Sequence, residues 1–151
     1  MVEYFGVFFN EIESYKILKN ENKALEKKAK NFHCTFCYKP KRFDEFNKIV
    51  GKETLIKLTG YSCDGKNSGF EIELSKNIKN YFQNFDENRK IKTPHITVSL
   101  SKDAKAVNTA NLKFKKLEEP ILIKGKFGYF IREQNNSYIS FKKVKINELS
   151  N

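Results

Sequence analysis

The chain has two histidines, and both stand in the same short context. His33 opens His-Cys-Thr within FHCTFCY, and His95 opens His-Ile-Thr within PHITVSL. Imidazole titrates near neutrality, so it can take a proton as a base or give one as an acid. Breaking a phosphodiester needs both services: a base for the attacking hydroxyl or water, and an acid for the leaving oxygen. A hydroxyl two positions along a strand lies roughly 6.6 Å further on the same face. It can hold a non-bridging phosphate oxygen. Two His-x-Thr strands facing each other would therefore clamp a phosphate between His33, Thr35, His95 and Thr97. This chemistry calls for no metal and no cofactor.

Strict strand alternation puts His33, Thr35 and Cys37 on one face, with Phe32, Cys34, Phe36 and Tyr38 on the other. In the second strand it puts His95, Thr97 and Ser99 opposite Ile96, Val98 and Leu100. A zinc site from His33, Cys34, Cys37, Cys63 and His95 is the competing reading, since Cys34 and Cys37 have ligand-like spacing. The same alternation points those two thiols apart and leaves no second close ligand pair. A redox role for the two cysteines is disfavoured because such motifs sit at a helix N-terminus, where the thiolate is stabilised.

The elements that must carry these motifs can be read along the chain. Val2 to Phe9 is β-branched and aromatic, a strand. Glu11 to Lys30 reads as a helix, with Ile12, Tyr15, Leu18, Leu25 and Ala29 near helical spacing. Asn31 to Lys39 is a strand, and Phe43, Phe46, Ile49 and Val50 recur as on an amphipathic helix that ends at Gly51. Thr54 to Ser62 and Gly69 to Leu74 form a hairpin about the turn residues Asp64 to Asn67. Asn77 to Phe85 looks helical. Pro94 introduces the strand His95 to Ser101, and Asp103 to Leu112 is irregular. Ile121 to Arg132 and Tyr138 to Ile146 pair across Asn135-Asn136. Hairpins and short connections predict an α+β class with antiparallel sheets and helices outside.

The length, 151 residues, fits one domain. The hydrophobic fraction of 39% suffices for a core and excludes a disordered chain. A formal charge of +11, from 29 basic and 18 acidic residues, suits a polyanionic partner such as a nucleotide or short RNA. Cys34, Cys37 and Cys63 form no disulfide framework and suggest a reducing compartment. The N-terminus is too acidic for a signal peptide, and no stretch approaches the roughly 18 apolar residues of a membrane span. The expectation is a cytoplasmic monomer with no membrane and no protein partner.

The paired motifs resemble those of the 2H phosphoesterase superfamily, the LigT-like cyclic phosphodiesterases. The resemblance implies two pseudo-symmetric α+β lobes, two antiparallel sheets with outer helices, and a central cleft. It implies that His33 and His95 are the acid–base pair and that Thr35 and Thr97 bind phosphate, without metal. In substrate it implies a cyclic nucleotide signal such as cGAMP, with 2′,3′-cyclic phosphate or 2′–5′ linked RNA ends as the alternative. The small size and the lack of a fused ligase or kinase domain favour the signal. A module that sequesters a nucleotide without cutting it is the non-enzymatic rival. Cys34, Cys37 and the segment TGYSCDGKNSGFEIEL depart from the usual LigT signature.

Further substrate contacts are expected from Tyr4 or Phe5 as a base-stacking ring. Tyr61, Asp64, Lys66 and Asn67 form a polar hairpin tip within reach of substrate. Lys39, on the His33 face, and Lys102, after the second strand, are candidates to meet phosphate charge. Tyr129 and Phe130 alternate, so one should face the cleft and the other the core.

Overall fold

The computed structural model describes residues 1–21, 23–29, 32–82 and 94–145. Its eight strands are β1 (Val2–Phe8), β2 (Lys27–Lys28), β3 (His33–Tyr38), β4 (Glu53–Cys63), β5 (Asn67–Glu73), β6 (His95–Leu100), β7 (Lys115–Glu133) and β8 (Asn136–Ser140). Three helices, α1 (Glu11–Lys19), α2 (Phe43–Phe46) and α3 (Lys76–Phe82), and a 3₁₀ turn at Ala106–Asn111 complete it. The class is α+β, dominated by antiparallel pairing.

In place of two separate sheets, one hydrogen-bonded path runs β2-β6-β5-β4-β7-β1-β3, with β8 on β7. The reason is the length of β7. Its first part pairs with β4 and its last part with β1, so it joins both halves of the sheet. Leaving out β2 and β8, the order is the same from either end: an edge strand carrying a His-x-Thr motif, a partner, and a central strand. The two edge strands β3 and β6 also contact each other. The sheet thus brings its own ends together, with the two histidines at the meeting point.

Both motif strands are bulged at the same place. Gly6 pairs with Thr35 but Phe5 with Cys37, so Phe36 has no partner on β1. Gly69 pairs with Thr97 but Ser68 with Ser99, so Val98 has no partner on β5. A bulge inserts one residue and reverses the side-chain alternation beyond it. The partner strands allow this by having glycine there. A Cβ on Gly6 would stand 2.3 Å from the Cys34 carbonyl oxygen, and one on Gly69 would stand 2.5 Å from the Ile96 carbonyl oxygen.

Apolar side chains fill the interior. Phe5, Val7, Ile17, Phe46, Ile56, Leu58, Phe70, Ile96, Val98, Ile123 and Tyr129 are almost wholly buried. The first helix is shorter than its composition suggests. The Asn10 side chain caps it by accepting from the Glu13 N–H at 2.9 Å. It stops at Lys19, and Lys27–Lys28 pair with β6 instead. Leu25 and Ala29 are therefore not on it, and Ile12 and Tyr15 are exposed. Its buried face is set by Ile17 and by Glu13, whose carboxylate accepts the Lys124 N–H of β7. That amide lies just beyond the stretch of β7 paired with β1.

Strand β7 begins six residues before the predicted Ile121 and includes Pro120. Pro120 falls where the β4–β7 register skips from Leu58↔Ile121 to Gly60↔Lys116, a position at which the missing N–H costs no ladder bond. The irregular segment before it contains the 3₁₀ turn. The last strand ends at Ser140, where its pairing with β7 stops, so residues 141–145 do not continue it as predicted. The predicted continuation of the third helix to Phe85, the strand end at Ile146, and the ends at Lys30 and Asn31 lie outside the described residues.

Candidate active site

His33, Thr35, His95 and Thr97 line one cavity of about 170 Å³. Ala29, Tyr38, Leu100 and Ala106 complete its walls. Each motif contributes three residues at the same spacing: His33, Thr35 and Tyr38 from β3, and His95, Thr97 and Leu100 from β6. The third member follows from the bulge. Without it Cys37 and Ser99 would face the cavity. With it both are buried, and Tyr38 and Leu100 turn outward. The expectations for Cys37, Tyr38, Ser99 and Leu100 are corrected accordingly. Cys34 and Cys37 are both buried in the core, so they do not take opposite faces as strict alternation predicts. Among the described residues no group of three His, Cys, Asp or Glu side chains is arranged to hold a metal ion.

The two imidazoles sit in different surroundings. The His33 ring stacks on Tyr4 with centroids 4.8 Å apart and planes inclined by 25°. Tyr4 stacks in turn on Phe130, with centroids 5.0 Å apart and planes within 8°. Phe8 is the cross-strand neighbour of His33, its ring 5.9 Å away. Tyr4, itself buried, thus backs the His33 ring. Burial, with the neighbouring Tyr38 and Glu3, pushes its hydroxyl pKa well above the ordinary tyrosine value. It stays a neutral phenol at physiological pH.

On the other strand, His95 has Glu71 as its cross-strand neighbour. Thr97 Oγ1 donates to Thr109 Oγ1 at 2.9 Å, and the buried Asn67 Nδ2 donates to the same oxygen at 3.1 Å. Asn67 Nδ2 also donates to the Lys105 carbonyl. A phosphate oxygen, being a charged acceptor, can compete for the Thr97 proton. Behind β6, the Glu21 carboxylate is 1% exposed and takes hydrogen bonds from Ser68, Ser99 and Lys28. Ser99 also accepts the Leu25 N–H at 3.0 Å. This lacing holds the 23–29 segment, and with it Ala29, against the motif strand; the Ala29 N–H reaches the Val98 carbonyl at 2.8 Å. Nothing in the sequence marks Glu21, which sits in a run that reads as helix.

Cys34 links the two strands from below. It is wholly buried, and the main chain of His95 hydrogen-bonds its sulfur. Burial pushes its thiol pKa up to about 12, against the smaller opposing pull of that hydrogen bond. It is a structural thiol rather than a nucleophile.

The remaining expected contacts separate from the cavity. Tyr129 is fully buried and donates to Asn47 Oδ1 at 2.8 Å, so it belongs to the core, while Phe130 takes the outward position. Phe5 is likewise core. Tyr61 is buried, its hydroxyl exchanging hydrogen bonds with the Lys23 main chain, and burial raises its pKa. Asp64 accepts the Lys66 and Asn67 N–H groups at 2.9 and 2.8 Å, which hold its carboxyl pKa below the ordinary value. It is a turn residue. Lys66, Lys39 and Lys102 are exposed and do not line the cavity. Lys39 follows the bulge, at a left-handed φ of 47°, and so leaves the His33 face.

Comparison with protein-family profiles and with curated proteins returns no match. No helix among the described residues is long and apolar enough to cross a membrane.

Proposed function

We propose that the protein is a metal-independent phosphodiesterase of the 2H type. The observation that carries this reading is the shared cavity, in which two imidazoles and two hydroxyls from opposite ends of one sheet converge. The mirrored strand order is what a bilobal fold with a dyad through β4 and β7 would give. In the reaction, one imidazole removes a proton from water or a ribose hydroxyl. That oxygen bonds to phosphorus as the P–O bond to the leaving group breaks, and the other imidazolium protonates the departing oxygen. Thr35 and Thr97 orient the non-bridging oxygens. The net charge of +11 draws the anion in.

The substrate class is a nucleotide phosphodiester, and a cyclic or oligonucleotide signal such as cGAMP is the form we put first. RNA ends with a 2′,3′-cyclic phosphate or 2′–5′ linkage use the same four residues. One series tests all of this. The protein is incubated in EDTA with 2′,3′-cyclic AMP, 2′–5′ oligoadenylate, cGAMP and cyclic dinucleotides, and products are resolved by chromatography. Cleavage that vanishes in His33→Ala and in His95→Ala is the expected result. Tight binding with no product from any substrate would make the protein a sequestering module, and loss of activity in EDTA would end the metal-free mechanism.

A further inference from the structure

A second cavity, of about 290 Å³, lies between the end of β1, β4, β7 and β8. Its walls include Phe8, Glu53, Lys124, Lys126 and Phe141. Three observations bear on what it holds. The first is its chemistry. Lys126 Nζ stands 5.2 Å over the Phe141 ring, whose edge meets Phe8 with centroids 6.2 Å apart. Flat aromatic walls with a cation beside them suit a planar, electron-rich ring next to an anion. The second is the rim, where the Lys124 ammonium and Glu53 carboxylate are 3.6 Å apart and both largely exposed. A nucleobase edge presents donors and acceptors side by side, and this pair supplies the complements. The third is position. Phe8 is a wall of this cavity and also packs on His33, ring centroids 5.9 Å apart. Phe8 thus connects the wall of this cavity to His33 of the first, and the volume is at the small end of the range for ligand pockets.

We infer that this cavity is a nucleobase subsite for a second nucleoside, so that the substrate has at least two bases flanking the scissile phosphate. This rests on the reading of the first cavity as the cleavage site. One nucleoside would sit with the phosphate between the imidazoles, and the base across the phosphodiester would reach past Phe8 to stack on Phe141. Lys126 would lie beside the linking phosphate. A single-base cyclic phosphate would leave this subsite unused.

Two variants test it, Phe141→Ala and the milder, solvent-side Lys126→Ala, each first checked for a cooperative thermal melt. Steady-state kinetics are compared on a linear or cyclic dinucleotide and on 2′,3′-cyclic AMP. The subsite predicts about a tenfold rise in KM for the two-base substrate. The KM for 2′,3′-cyclic AMP should stay within twofold. If both substrates are cleaved and neither variant discriminates between them, the subsite is wrong while the catalytic reading stands. If no substrate is cleaved, the catalytic reading fails, and the subsite is judged on binding alone. The probe is then adenylyl-adenosine with a phosphorothioate linkage, titrated by calorimetry. A loss of affinity in Phe141→Ala and Lys126→Ala upholds it, and unchanged affinity overturns it.

Discussion

The two motif strands match in backbone and differ in environment. Leaving out the two-residue β2, β3 and β6 end the path, and both bulge one residue after the threonine. Both face a glycine across the ladder, and both send residues one, three and six of the motif to the same cavity. Yet His33 stands against Phe8 and stacks on Tyr4, whereas His95 stands against Glu71. Thr97 is held in a polar chain through Thr109 and Asn67, while β3 has aromatic rings beside it. The backbone symmetry places two equivalent imidazoles. Their neighbours are not equivalent. A carboxylate across the ladder favours the imidazolium form, and apolar packing favours the neutral form.

The largest effects should come from removing either imidazole. His33→Ala and His95→Ala are each expected to lower kcat by roughly 10²–10⁴-fold, with the double variant little worse than the poorer single one. Single-turnover rates check this. If one single variant keeps near-normal rates, only one strand is catalytic and the equivalence is broken.

The shared bulge is tested next. Gly6→Ala and Gly69→Ala should each destabilise the fold by about 1–3 kcal/mol or more, because the new methyl meets main-chain carbonyls that cannot move without opening the ladder. Equal losses in urea midpoints would show that both bulges are under the same constraint. A neutral result at either site would show that strand to be the looser one.

The environmental difference is sharpened by pH. Glu71→Gln removes the negative charge across from His95, so the imidazolium should lose its proton more readily. If His95 is the acid, the alkaline limb of the kcat/KM profile moves to lower pH, and the acidic limb stays. A shift of the acidic limb instead would exchange the two roles.

The smallest effect concerns Cys34. Its thiol pKa is raised from 9.0 to about 12 by burial in the folded protein. The unfolded chain gives up this proton near pH 9 and the folded one does not. Stability is therefore full below about pH 9 and declines as pH rises toward 12, at up to about 1.4 kcal/mol per pH unit. The buried Tyr4 adds to the same alkaline loss. Cys34→Ala should flatten part of that slope in chemical denaturation at pH 8 to 10.5. In the native protein, iodoacetamide should label Cys63, which is partly exposed, well before Cys34 or Cys37.

Much of the scaffold is local and was therefore legible. The strands at Val2, His33, Thr54, Gly69 and His95 announce themselves by β-branched and aromatic runs, and the Asp64 turn by its side chain's own hydrogen bonds. The first helix is shorter than its run of Glu, Lys and Leu suggests because Asn20 caps it, its side chain donating to the Lys16 carbonyl at 2.7 Å. Beyond that cap the chain is held by Glu21, which takes hydrogen bonds from Ser68 and Ser99, far along the chain.

The sequence by itself determined the chemical inventory: two imidazoles, each with a hydroxyl two positions on, in strands whose alternate residues are apolar. A side-chain period of two is a property of the single strand, so that much needs no partner. Only the tertiary structure decided what lies beyond the threonines. The bulges arise from pairing with β1 and β5, and a one-residue slip exchanges faces. That is why Tyr38 and Leu100, not Cys37 and Ser99, join the cavity. The same holds for the meeting of β3 and β6, which are distant in the strand order and come together only because the sheet curls upon itself.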